Sequence, residues 1–230
     1  MKLTVFLLAI FFVVGCATDK QSGEVQDEAQ AESKKQARAN VIRNYYYEAA
    51  EKLQLPLVWK NTNNELPVSE SKLLRVEEDD TFLFGKEAGL LTLMGVVPDT
   101  SKFFTFLFYY PADDLAPYLI TFDKKGNLID NHMTGYNCGA GCGFYCNGSV
   151  FILNKDLSFL SRQVTYEGEC EDDTDNMDTT KVYYEVWERK GKILANGKIR
   201  EDEEGKQIEN KEIPFNSPEN PLREIVDEDE

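Results

Sequence analysis

The residues of this chain with chemistry to offer are four closely set cysteines, a run of carboxylates and a single histidine. Cys138, Cys142 and Cys146 stand at four-residue spacing in the glycine-dense stretch 135–148, and Cys170 follows. Three thiols so spaced do not give the two short-spaced pairs of a zinc finger. No C-x-x-C pair opens a helix for thiol exchange. One histidine leaves little for a multi-histidine zinc site or a facial iron triad. In an exported chain the four thiols suit two disulfides. A hairpin centred on Lys155-Asp156 pairs residues whose numbers sum to 311 or 312, which sets Cys170 across from Cys142 and leaves Cys138 to Cys146. The rival connectivity, Cys146 with Cys170 and Cys138 with Cys142, needs a slipped or bulged register.

The acidic stretch 167–178 includes Asp173, Asp175 and Asp178, which have the oxygens a calcium ion takes. An EF-hand loop, however, wants an oxygen side chain where Met177 stands and a glycine where Asp178 stands. A solvated loop between strands is therefore the expectation, and no cofactor is called for. His132 falls on the strand face assigned to Leu128 and Asp130, so an Asp130/His132 acid–base pair is conceivable. With no G-x-S-x-G elbow to supply a nucleophile, a half-exposed structural histidine is expected. No spacing singles out two carboxylates for glycosidase-type chemistry.

A third candidate is apolar. Phe104, Phe106, Phe108 and Tyr110 line one face of a strand, and Phe103, Thr105, Leu107 and Tyr109 the other. With both faces apolar, each must be covered, or one must line a pocket for a lipid or other apolar ligand.

The beginning of the chain gives an address. Met1-Lys2 is followed by a short apolar run to Val14, then Gly15 and Cys16. The run is too short for a bilayer core, which takes ~20 residues, and has the layout of a secretory signal. Val13-Val14-Gly15-Cys16 resembles the lipobox of bacterial lipoproteins. That resemblance implies cleavage before Cys16, which becomes the lipidated first residue and a stable membrane anchor. Ala17 after the cysteine implies, by the same resemblance, the outer membrane of the cell envelope. Residues 16–32 then form a polar tether ahead of one domain at 33–215, and 216–230 reads as an acidic disordered tail.

Composition excludes other partners. With 25 Lys and Arg against 41 Asp and Glu, the formal charge is −16. Removing residues 1–15, which hold one lysine and no acid, makes it −17. Nucleic acid is excluded for want of a basic footprint, and anionic headgroups are disfavoured as an electrostatic partner.

The elements that must position these residues start with a helix at about 32–53, whose stripe runs through Val41, Ile42, Tyr45, Tyr46, Ala49, Ala50 and Leu53. After residue 80 the period changes to two. Strands are predicted at 81–84, 89–96, 103–110, 117–122, 127–134, 149–154, 159–167, 181–189, 192–200 and 207–211, with tight turns at Gly126, Lys155-Asp156, Gly191 and Gly205. Short connections make antiparallel neighbours. The expected fold is mainly β: an antiparallel meander, as a curved sheet or an up-and-down barrel, with the helix packed on it. The text from Tyr118 to Asp130 also resembles hairpins of uncharacterised Bacteroidetes lipoproteins, which implies an exported β-rich protein and no activity. The expectation is a non-enzymatic binding module with a protein or glycan partner; a barrel-type carrier and a carboxylate-based hydrolase are its rivals.

Overall fold

The computed structural model describes residues 33–226 apart from 35, 62–65, 78–79, 86–87, 99–100, 112–114, 135–143, 171–176 and 203–204. Two open antiparallel sheets and a helix form three layers, and no barrel closes. The first sheet is β2 (Leu74–Arg75), β3 (Thr92–Val96), β4 (Phe103–Pro111), β5 (Leu115–Asp123) and β6 (Leu128–Met133), in that order. The second runs β1 (Leu57–Asn61), β7 (Phe144–Leu153), β8 (Ser158–Cys170), β9 (Met177–Ile193) and β10 (Ile199–Glu201), with β11 (Lys206–Ile213) also paired to β9.

The middle layer is covered on both faces, as its two-faced apolar pattern requires. Phe104, Phe106, Phe108, Ile120 and Phe122 point to the helix layer, where Ile42, Tyr46, Leu83, Phe84 and Leu91 meet them. Phe103, Leu107 and Leu119 point the other way, against Leu57, Trp59, Phe151, Leu153, Phe159 and Ile193 of the second sheet. The helix, α1, is α-helical over 36–40 and widens to π-helical turns over Val41–Tyr47. It ends sooner than its stripe suggests. Leu53 is buried in an extended segment instead, its N–H donating to Val96 O at 2.9 Å while Val96 N–H donates to Glu51 O at 2.8 Å. That contact covers the part of the β3 edge that two-residue β2 leaves open.

Four expectations are corrected here. Residues 81–84 are not a strand but a helical turn, α2 (Thr81–Phe84), which sends Leu83 and Phe84 into the core. A four-residue apolar run has no period to separate the two. Gly191 makes no turn, because β9 runs through it; a Cβ there would lie 2.3 Å from Phe159 Cζ, so the glycine is needed for close packing. Nor is 192–200 a single strand: the chain reverses at Asn196-Gly197, with Gly197 at φ +84°, as an Asn-Gly pair readily does. Finally, residues past 215 are not simply a tail. A turn leads to α3 (Pro221–Val226), Asn220 Nδ2 donates to Phe215 O at 2.8 Å, and Leu222 packs against the cluster of Val164, Tyr166, Val182, Tyr184 and Val186.

Candidate functional site

A cluster of largely buried charged groups lies where β6, the edge of the first sheet, meets β10, the edge of the second. β6 carries a bulge between its pairings at Thr121 and Phe122. Asp130 and His132 therefore share the face that looks to the second sheet, opposite Thr121 and Leu119. Leu128 drops to the other face, against the expectation that all three align. The carboxylate of Asp130 accepts from Ile199 N at 2.9 Å and so caps the backbone of β10. Thr121 Oγ1 donates to Gly197 O at 2.7 Å, tying β5 to the turn before that strand.

His132 Nε2 lies 3.1 Å from Glu201 Oε2, and Arg189 Nε lies 3.5 Å from Glu201 Oε1. Glu201 thus stands between the imidazole and the guanidinium, within reach of both. About a quarter or less of each side chain is exposed, at 24%, 20% and 23% for His132, Glu201 and Arg189. Burial holds the imidazole below the usual histidine range; Glu201 and Asp130 oppose this, while Arg189 adds to it. The ring centroid is 5.9 Å from that of Phe159. This cluster can hold two edge strands together and can exchange a proton. Hydrolytic use would need a nucleophile beside the imidazole, and the described groups that face it are Glu201, Asp130, Arg189 and the Phe159 ring.

Sequence reasoning found Asp130 and His132 and missed Arg189 and Glu201. Those two lie on separate strands of the other sheet, and only the packing of β10 against β6 brings them near. A lone charged residue on a strand reads as an exposed edge device, so nothing in the text flags it.

The aromatic candidates are accounted for by packing. Phe104, Phe106 and Phe108 are 5%, 0% and 0% exposed. Phe106 sits with centroids 5.8–6.3 Å from the rings of Phe104, Phe108 and Phe122, and Phe84 caps Phe108 at 5.4 Å. Protein rings occupy the space a ligand would need. Tyr110 is half-buried at the end of β4, beside the same cluster.

The hairpin of β7 and β8 has the expected register. Leu153 pairs with Phe159, Ser149 with Gln163 and, past a bulge, Cys146 with Thr165. Cys146 is thus opposite a residue five positions before Cys170 on β8. Cys16, Cys138 and Cys142 lie outside the described residues, as do Asp173 and Asp175. Asp178 uses Oδ1 to accept from Thr180 N at 2.8 Å and Thr180 Oγ1 at 2.7 Å; these bonds hold its carboxyl below the usual range. Among the described residues no three His, Cys, Asp or Glu side chains are grouped to hold a metal.

No family model, curated protein or solved structure matches this chain.

Proposed function

We propose that this chain is a lipoprotein of the bacterial envelope, anchored through Cys16 and held on a polar leash, and that its β domain is a non-enzymatic interaction module. The observation that carries the module is the register of three neighbouring strands. Phe144 at the start of β7 pairs with Glu167, Glu167 pairs with Tyr183, and Cys170 pairs with Met177 at the start of β9. The strand ends that lead to 135–143 and to 171–176 are therefore side by side, at one end of the second sheet. A rigid sheet that offers two adjacent connections at one end is a common way to present recognition residues. The fit is to a protein or glycan partner; among the described residues no nucleophile stands beside the imidazole, and the packed rings of β4 argue against a carrier.

The test has two parts. Intact mass of the protein from its native envelope should show loss of residues 1–15, gain of a diacylglyceryl group and acyl chain, and the hydrogen loss of two disulfides. Capture from envelope extract, with and without replacement of 136–145 by a short Gly-Ser link, should then lose one discrete partner. An unprocessed N-terminus removes the anchor; turnover of an envelope substrate by the purified protein removes the non-enzymatic reading.

A further inference from the structure

A formal charge of −16 conceals a polar arrangement of charge. The turn at 123–127, the turn at 194–198, the turn at 154–157 and the lead into β4 all lie at one end of the molecule. Phe103 pairs with Asp123, a Cβ on Gly197 would touch Phe103, and one cleft is lined by Lys102, Phe103, Asp156, Leu157, Leu194 and Ala195. α1 starts at the same end, since a Cβ on Gly126 would lie 2.7 Å from Ala39 N. Each of these segments brings an exposed lysine: Lys102, Lys125, Lys155 and Lys198 from the turns, and Lys34 from the first turns of the helix. Among the described ion pairs, none involves any of the five.

The described acids of these turns, Asp123 and Asp156, are engaged within them, Asp123 also facing the charge of Lys125. Asp123 accepts from Lys125 N, Asn127 N and Asn127 Nδ2, and Asp156 is held by Lys192 Nζ at 2.8 Å and by Ser158. At the far end of β8 and β9 the sign reverses, with Glu167, Glu169 and Glu212 exposed.

We infer that the lysine-bearing end is a docking face for an anionic lipid surface. The inference rests on the lipoprotein reading in one respect, the leash. Residues 16–32 lead into the domain at this end and span no more than ~60 Å when fully extended. The anchor therefore keeps the lysines close to headgroup phosphates, within which attraction decays over a Debye length of ~8 Å at physiological salt. The leash carries Asp19, Glu24, Asp27, Glu28 and Glu32 against Lys20, so it contributes no attraction itself. Docking in this sense turns the acidic end, with the ends of β7, β8 and β9 that lie there, away from the membrane, where like charge would repel it. Whole-chain charge counting misses this, because headgroups respond to the face within a Debye length and not to the sum.

The test uses residues 17–230, which keep every described core contact, since the three clusters lie between Val41 and Leu222. The chain is sedimented with vesicles of equal phosphatidylglycerol and phosphatidylcholine, and with phosphatidylcholine alone, at ~0.02 M and ~0.15 M salt. Binding to the anionic vesicles alone, weakening with salt, is expected. A lysine near such a surface changes partition ~5-fold, so Lys125→Gln with Lys198→Gln should lower it ~25-fold. Lys181→Gln with Lys206→Gln, away from this end, should leave it unchanged. The inference is overturned by an absence of binding to anionic vesicles at low salt, by equal loss in both double variants, or by binding to a soluble polyanion such as heparin without binding to vesicles. No lipid is attached to this chain, so a failure of the anchor reading would appear in the intact mass and leave the vesicle result standing.

Discussion

β8 and β9 contribute to two regions of the molecule that are built in different ways. Near their turns they belong to the three-layer body, where Phe159 and Ile193 join a continuous interior with residues of both sheets. Further along they extend as an arm whose own cluster is Val164, Tyr166, Val182, Tyr184 and Val186. The two clusters lie on opposite faces of one hairpin. Phe159, Ser161 and Gln163 alternate toward the first sheet, whereas Val164 and Tyr166 point to the far side, where Ile213, Phe215 and Leu222 cover them. Ser161 and Gln163, at 2% and 3% exposed, mark where the first face turns polar. A strand with period two can thus serve two cores, provided that something different covers each face. The body is covered by a sheet and a helix; the arm is clipped by the chain end.

That contrast is tested most severely by substitutions in the two clusters. Phe106→Ala removes a wholly buried ring from among three others and should cost about 3–5 kcal/mol, with denaturant melts of both regions shifting together. Phe215→Ala takes away a half-buried ring whose centroid is 5.5 Å from that of Tyr166, and should cost about 1–3 kcal/mol. Its effect should be local: faster amide exchange at 164–168 and 182–186, with β4 and β5 unchanged. Equal acceleration throughout would mean that body and arm open as one unit.

The body is the region that could be read from the sequence, and the reasons are specific. β4 declares its burial because both alternating sets of side chains are apolar. The hairpins at Gly126 and Lys155-Asp156 declare themselves by short loops. β1 was missed because Leu57–Asn61 is a brief run whose partner, β7, lies some ninety positions away, at Leu153 to Ser149. The arm was legible in its strands and illegible in its packing, since the face switch at Gln163 and Val164 depends on where Phe215 and Leu222 fold back. The same holds at the β6–β10 seam. Asp130 and His132 were legible as a pair, while Arg189 and Glu201 acquire meaning only from the contact of two sheet edges.

The seam stands at the junction of body and arm, and pH probes it with a smaller effect. The folded His132 has its pKa below the ordinary 6.5, mainly through burial. The unfolded chain therefore takes up this proton first as the pH falls. Stability from the neutral imidazole is complete above 6.5 and is lost as the pH drops through the folded value. The melting temperature should fall between pH 7.5 and 5.5, and His132→Gln should flatten that slope. Asp123 and Glu188, whose pKa values are also lowered, respond only in the more acidic carboxylate range and do not blur this window. An unchanged slope in the variant would mean that the seam does not link protonation to stability.

The smallest effect expected is also the one that most directly distinguishes the arm from the body. Tyr184 is 0% exposed within the arm cluster, its ring 5.8 Å from that of Tyr166, and its hydroxyl has no hydrogen-bond partner among the described residues. Burial pushes this phenol up to about 12, with Tyr166 contributing. In the body the corresponding buried phenol, Tyr46, is satisfied by the carboxylate of Asp80. A desolvated hydroxyl without a partner costs about 1–3 kcal/mol, whereas one that is paired contributes. Tyr184→Phe should therefore leave the melting temperature unchanged or raise it slightly, and Tyr46→Phe should lower it by the loss of a hydrogen bond to a charged group. If both variants lose stability alike, the Tyr184 hydroxyl has a partner in the folded protein, and the arm is held by polar contacts as the helix layer is.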